Sequence, residues 1–203
     1  MIGILLAAGR GERFGGDKLL AQAGPGPGFR DTGMTRSAGE RVGVVACRNL
    51  LLAVPRVVAV VRPGDAALAA ALGAAGARVV RCPNADEGMG ASLACGVAAT
   101  KDAAGWIVAL ADMPWILPPT IARVAAAVAG GAPVAAPFYR GKRGHPVGFS
   151  ALCYAMLAAL HGDDGAKAVV AAHGDQLARI DVEDAGTQSD VDRPADLQWG
   201  SPP

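Results

Sequence analysis

Aromatic residues are scarce in this chain, with Phe, Trp and Tyr together supplying 4% of 203 residues. A core short of large rings must be filled by small aliphatic side chains. The 52% hydrophobic content, dominated by Ala, Val and Leu, suits helices packed closely on a parallel sheet. An excess of one charge sign is also missing. The 19 basic and 18 acidic residues leave a formal net charge of +1, without the basic footprint that DNA or RNA binding requires, so nucleic acid is not an expected partner. No apolar run reaches the roughly 20 residues of a membrane span. The first one, Ile2 to Ala8, is short and has no charged n-region before it, and the expectation is a cytoplasmic protein with no membrane partner. Finally, Cys47, Cys82, Cys95 and Cys153 have no C-x-x-C spacing and sit in apolar stretches. That pattern reads as buried thiols of a reducing compartment and not as a zinc site.

What the chain does have is alternation. Ile2–Leu6, Val57–Val61, Arg78–Arg81, Trp106–Leu110, Val134–Pro137 and Leu177–Val182 read as strands, mostly as continuous apolar runs, the pattern of strands covered on both faces. Val42–Ala53, Asp65–Ala74, Gly90–Thr100 and Pro118–Ala129 have helical spacing between them, and Ala151–Leu160 reads as a further helix. The length and the βαβα rhythm predict one α/β domain spanning 1–203, with a Rossmann-like, doubly wound, mostly parallel sheet. Residues 24–40, rich in Gly, Pro, Ser and Thr, are expected to form a flexible loop. Tyr139–Pro146 is polar and punctuated by glycine, and reads as part of an acceptor-side extension.

In a doubly wound sheet ligands bind beyond the carboxyl ends of the strands. Two segments meet that condition. The first is the loop Leu6-Ala-Ala-Gly-Arg-Gly-Glu-Arg-Phe-Gly-Gly-Asp-Lys18, whose glycines allow backbone amides to approach phosphate oxygens. It is not a P-loop, because Lys18 is followed by Leu19 and not by a hydroxyl residue. Nor is it a good dinucleotide fingerprint, because Phe14 stands where the third glycine belongs. It carries two cations, Arg13 and Lys18, suited to neutralising a triphosphate and a departing pyrophosphate; an ordinary flexible turn is the competing reading. The second segment is Leu110-Ala-Asp112, which places a carboxylate at the sheet edge where it could ligate Mg²⁺. Asp112 could instead cap the helix that begins near Pro118.

The opening pattern Leu-Ala-Ala-Gly-x-Gly-x-Arg-x-Gly-x-x-Lys, followed in order by Asn84-Ala-Asp-Glu-Gly-Met-Gly-Ala-Ser92, Leu110-Ala-Asp-Met-Pro114, Gly144-His-Pro146 and Asp190-Val-Asp-Arg-Pro194, resembles the MobA-like NTP transferase family. Within that family it is most similar to the MocA-like molybdenum cofactor cytidylyltransferases. The resemblance implies the nucleotide-diphospho-sugar transferase type of fold. It also implies an activity, transfer of CMP from CTP to the phosphate of molybdopterin, with Mg²⁺ as cofactor. A molybdoenzyme of the xanthine oxidase type would be a further partner.

Carried over residue by residue, the nucleotide-binding set is Leu6, Ala7, Ala8, Gly9, Gly11, Arg13, Lys18, Asn84, Gly88, Met89, Ser92 and Asp112. Arg13, Lys18 and Asp112 form the catalytic group, and Asp112, Asp192 and Asp190 the metal ligands. His145 and Lys167 fall on the acceptor side, where Gly162-Asp-Asp-Gly-Ala-Lys167 matches the family's Gly-Asp-x-Gly-Ala-Arg with lysine for arginine. That exchange keeps the charge and loses bidentate phosphate geometry. Within the family Ala-Ala before the loop glycine accompanies CTP, and Ala-Gly accompanies GTP.

Plainer roles compete with several of these assignments. Asp190 and Asp192 could belong to an exposed turn capping a short C-terminal helix, Met89 could fill core, Ser92 could merely start a helix, and Asp163 or Asp164 could be an N-cap. A sister enzyme using GTP or another phosphorylated acceptor, and a non-catalytic carrier of the finished cofactor, are the alternative functions.

Overall fold

The computed structural model describes residues 1–24, 39–163 and 165–198. The stretch expected to be flexible, 24–40, lies for the most part outside the described residues, as does Asp164. Among the described residues eight strands form one sheet: β1 (Ile2–Leu6), β2 (Val57–Val61), β3 (Arg78–Arg81), β4 (Gly105–Leu110), β5 (Val134–Tyr139), β6 (Lys142–Arg143), β7 (Val147–Ser150) and β8 (Leu177–Asp181). The α-helices among the described residues cover it: α1 (Val42–Ala53), α2 (Ala66–Ala74), α3 (Met89–Ala98), α4 (Pro118–Ala129), α5 (Tyr154–Ala158) and α6 (Lys167–Ala172). The α/β doubly wound reading holds. The helix expected over Ala151–Leu160 is shorter, a 3₁₀ turn at Ala151–Cys153 running into α5.

The sheet runs β3-β2-β1-β4-β7-β5, with β8 on the far side of β5. All neighbours pair in parallel except β7, which is antiparallel to both β4 and β5, and the short β6, which is antiparallel to β5. Strands β6 and β7 return along one edge of β5. Their registers differ by two residues, since Phe138 faces Arg143 and Ala135 faces Gly148, and the slack is Gly144-His145-Pro146, which contains a cis peptide before Pro146.

Continuous apolar strands appear because each side chain has a core to enter. Leu5 and Ala7 pack with α1, α2 and α4 on one face, whereas Ile4, Leu6 and Ala8 pack with α3, α5 and α6 on the other. Gly96 lets α3 lie close, because a Cβ there would meet Val60 Cγ2 at 2.9 Å and Ile4 Cγ2 at 3.0 Å. The cysteines are free, and burial pushes the thiols of Cys47 and Cys82 up to about 11. Among the described residues no helix is long and apolar enough to cross a membrane.

This topology locates the site. The chain runs from β1 to β2 and β3 on one side, then crosses to β4 on the other, so the strand order reverses between β1 and β4 and leaves a crevice at their carboxyl ends. Leu6 is in register with Leu110, and Ala111 N donates to Leu6 O at 3.0 Å. The Gly-rich loop and Asp112 therefore leave the sheet side by side.

Candidate active site

The Gly-rich loop is held by two short turns. Gly11 (φ 61°) and Gly15 (φ 75°) take left-handed conformations on either side of a 3₁₀ turn at Glu12–Phe14, and such backbone costs an L-residue with a Cβ roughly 1–2 kcal/mol. A second 3₁₀ turn, Lys18–Leu20, buries Leu19 against the α1 side of the core. Anchoring Leu19 turns Lys18 toward the end of β4. Its Nζ donates to Asp112 Oδ2 at 2.7 Å and to Val191 O at 3.0 Å. Val191 is fully buried and its amide donates to Asp112 O at 2.8 Å, which straps residues 190–192 onto the end of β4.

That strap brings the three expected metal carboxylates into one neighbourhood. Burial and then the Asp112 charge raise the Asp190 carboxyl above its usual range. Asp192 turns to Arg13, whose Nη1 donates to its Oδ2 at 2.7 Å. The hydrogen bond from this guanidinium holds the Asp192 carboxyl below its usual range. The C-terminal turn is capped by neither of them but by Asp196, which accepts from the amides of Asp192 and Arg193 at 2.8 and 2.6 Å. The capping alternative for Asp112 also fails. Helix α4 begins after Leu117, and the carboxylate there is Asp184, accepting from Leu117 N at 2.9 Å and Thr120 Oγ1 at 2.7 Å.

Among the described residues no three His, Cys, Asp or Glu side chains converge closely enough to hold a metal alone. Two neighbouring carboxylates, Asp112 and Asp190, with one ammonium between them and the Gly-rich loop nevertheless leave a surplus negative charge. The donor set is hard oxygen. That fits a magnesium-like cation held by one or two carboxylates and completed by phosphate and water.

A cleft of about 440 Å³ opens from this point. Its floor is Leu6, Ala8 and Gly9 with Leu110 and Asp112, and Lys18 and Leu19 close one end. Gly88, Met89 and Ser92, at the start of α3, form the opposite wall, and the N-terminal end of a helix favours anionic groups there. Met89 is 44% exposed and lines the cleft, so it does not fill core. Gly90 is a point of close approach: its amide donates to Gly162 O at 2.7 Å, and a Cβ would meet His161 O at 2.6 Å. This contact carries Asp163 to the cleft wall, whereas the N-cap of α6 is Ala166.

Other expected residues lie outside the lining. Ala7 is buried in the core on the α1 side, and Gly11 lines an adjoining pocket of about 130 Å³ with Arg62 and Asp65. Asn84 is exposed, with its Nδ2 donating to Glu87 at 3.4 Å. Lys167 opens α6 on an exposed face. His145 is partly buried, its amide donating to Thr187 O at 2.9 Å. Its Nδ1 is buried without a hydrogen-bond partner. Burial lowers its pKa against the opposing pull of Asp112, so the ring is neutral at pH 7.

Sequence reasoning missed Ala85, Asp86 and Asp163 as lining residues, and Arg10, which spans the cleft to Asp86 at 2.9 Å. Asp86 lies inside the Asn84–Ser92 motif and Asp163 inside Gly162–Lys167, so the signal was present as segments without side-chain direction.

The model of the MobA-like NTP transferase domain matches residues 3–177. No curated protein matches the chain in sequence. Among solved structures it is similar to Rv0371c from Mycobacterium tuberculosis H37Rv, at 26% identity and TM-score 0.75, over 96% of this chain and 94% of that one. The manganese complex of Rv0371c matches at 25% identity and TM-score 0.73, with the same coverage of both chains. A nucleotidyl transferase from Methanothermobacter thermautotroptrophicus, Mth528, matches at 22% identity and TM-score 0.74, over 96% of this chain and 93% of that chain. Molybdopterin-guanine dinucleotide biosynthesis protein A from Archaeoglobus fulgidus shares the fold at 17% identity and TM-score 0.63, over 97% and 95%.

Proposed function

The chain belongs to the MobA-like NTP transferase family, whose chemistry is nucleotidyl transfer from an NTP to a phosphorylated acceptor, and from that premise we propose that it transfers CMP from CTP to the phosphate of a molybdopterin-type acceptor. The observation that carries the choice of base is Ala8. Its side chain lies on the cleft floor beside Gly9, where a methyl group takes room that a bicyclic purine would need and a glycine would leave free. The triphosphate would then run along the Gly-rich loop toward Lys18 and Asp112.

The acceptor is already an anion at neutral pH, so the protein needs no strong general base. One of its phosphate oxygens attacks the α-phosphorus of CTP. The bond from the α-phosphorus to the bridging oxygen breaks, and pyrophosphate leaves with the electron pair. Lys18, Arg13 and the loop amides neutralise charge on the departing phosphates, and the crevice holds the reactants in line. Asp112 and Asp190 would hold a divalent cation, with Asp192 beside them on Arg13; when bound, the cation supplies Lewis-acid stabilisation of the phosphoryl oxygens. Manganese in the mycobacterial relative supports a metal at such a site. His145 would stand on the acceptor side, in the Gly144-His145-Pro146 segment that the family resemblance assigns there.

Thermal shifts separate the candidates. A nucleotide at a hundred times its dissociation constant adds about 2.7 kcal/mol to stability, which raises the melting temperature of a protein this size by roughly 5–11 °C. With Mg²⁺ present, CTP is expected to give the largest shift among CTP, GTP, ATP and UTP. A larger shift with GTP would instead assign the chain to the guanosine-using relatives.

A further inference from the structure

We propose that Cys82 and Cys95 form a reversible dithiol–disulfide site behind the α3 wall of the cleft, closed by a low-molecular-weight disulfide of the glutathione class and weakening nucleotide binding when closed. Cys82 follows β3 directly. Its Sγ donates to Asn84 Oδ1 at 3.2 Å and lies 3.7 Å from Ala91 O. Cys95 stands one turn beyond Ala91 on α3. Helical side chains lean toward the helix N-terminus, so the Cys95 sulfur is directed back over the Ala91 turn, where Cys82 sits. The two residues pack in one cluster, and their thiols are in hydrogen-bonding contact. The effect on the nucleotide rests on the nucleotidyl-transfer reading; the disulfide itself does not.

Access sets the order of events. Cys47, Cys82 and Cys153 are fully buried, whereas Cys95 is partly exposed. Burial, and then the hydrogen bond with Cys95, push the Cys82 thiol up to about 11, so Cys82 stays protonated and does not begin the exchange. Cys95 begins it. Its thiolate attacks one sulfur of glutathione disulfide and expels one glutathione thiolate, leaving a mixed disulfide on Cys95. Cys82 then gives up its proton to water, and its sulfur attacks the Cys95 sulfur and expels the second glutathione. In sum, two protein thiols lose two electrons and two protons, and one glutathione disulfide becomes two glutathione thiols. In a reducing compartment such a bond is transient, as in redox sensing.

Closure acts on the cleft because the bond would tie together the two ends of one segment. Ala85, Asp86, Gly88, Met89 and Ser92 lie between the two cysteines and line the nucleotide cleft. The reduced Cys82 thiol holds the first turn of this segment through Asn84, and a disulfide has no proton to donate. Closure therefore releases Asn84 while it draws Cys82 toward α3. Gly88 and Gly90 are packed against residues 161–163 without room for a Cβ, so a shift of the segment displaces the wall.

The test is peptide mass mapping of the intact, native protein after incubation with glutathione disulfide, with the remaining free thiols then alkylated in denaturant. Trypsin cuts after Arg81 and Lys101, so both cysteines fall on one peptide. The expected product is that peptide unalkylated and lighter by two hydrogens, with Cys47 and Cys153 alkylated; dithiothreitol restores both thiols. Calorimetric titration of CTP with Mg²⁺ then compares the reduced and oxidised forms. Oxidation is expected to weaken CTP binding about five-fold or more, the lower end of typical coupling between two sites. Cys95→Ser is expected to bind CTP equally well before and after exposure to glutathione disulfide.

A peptide that keeps two free thiols, or that carries glutathione as a stable adduct on Cys95, would overturn the pairing. Unchanged or tighter CTP binding by the disulfide-bonded protein would overturn its effect on the cleft, as would an equal loss in Cys95→Ser exposed to the same oxidant. The wild-type peptide and titration stand even where the Cys95 variant does not fold. Absence of CTP binding by the reduced protein would overturn the nucleotidyl-transfer reading and the nucleotide effect together, while the peptide still decides the disulfide.

Discussion

Replacing Asp112 with alanine is expected to lower the rate of pyrophosphate release by about 10³-fold, the scale on which loss of one preorganised charge contact at a reacting centre is felt. Asp112 is the group through which the β4 edge meets the Gly-rich loop, and it stands at the deep end of the cleft beside Lys18. Its backbone is held independently, since its carbonyl accepts from Val191 N and Met113 N donates to Leu110 O. The variant should therefore fold. Lys18 keeps its bond to Val191 O, and removing one of two neighbouring carboxylates relieves the strain on Asp190. These opposing terms leave a net change of about 1 kcal/mol, or some 2–4 °C in melting temperature. A folded Asp112→Ala that releases pyrophosphate at near the wild-type rate would remove Asp112 from the chemistry.

Lys18→Ala is expected to damage binding and chemistry together, raising KM for CTP about ten-fold and lowering kcat about a hundred-fold. The two effects come from one ammonium. It attracts the triphosphate in the ground state, and it is needed more as charge grows on the leaving pyrophosphate. A change confined to KM would mean that Lys18 binds substrate and transition state equally. A change confined to kcat would mean that the lysine is held by Asp112 until the reaction begins. Steady-state kinetics with CTP varied at saturating acceptor distinguishes these outcomes, and circular dichroism melting checks the fold.

The residues that sequence reasoning located well are those whose position follows from the strand pattern. Strands β1, β2 and β4 were legible because both faces are buried, which makes Ile2–Leu6, Val57–Val61 and Trp106–Leu110 continuous apolar runs. The rule that ligands lie beyond strand ends then pointed to the loop after Leu6 and to Asp112. Strand β7 was not legible. It is four residues long, follows the irregular Gly144-His145-Pro146, and contains Gly148, where a Cβ would meet Val128 Cγ2 of α4 at 2.7 Å. Helix α6, at six residues, is too short for periodicity to show.

The carboxyl contacts divide in the same way. Composition and spacing could not show that Arg13 would find Asp192 across 179 residues of chain or that Asp184 would cap α4 across 64. Such pairs depend on the crossing of β1 and β4 and on the path of residues 184–191, which only the folded chain fixes. Family resemblance supplied Asp190 and Asp192 as candidates, and the fold brings both beside the loop carrying Lys18. Asn84 and Lys167, assigned in the same way, are exposed and stand outside the cleft lining.

The central event is a nucleotidyl group leaving CTP at this site. The most direct measurement is incubation of the wild-type protein with CTP labelled at the α-phosphorus, a molybdopterin acceptor and Mg²⁺, followed by separation of products. Label is expected in a cytosine dinucleotide of the acceptor, with one pyrophosphate released for each label transferred. Tight acceptor binding with no label transferred from CTP or any other nucleoside triphosphate would contradict it and leave a carrier in place of an enzyme.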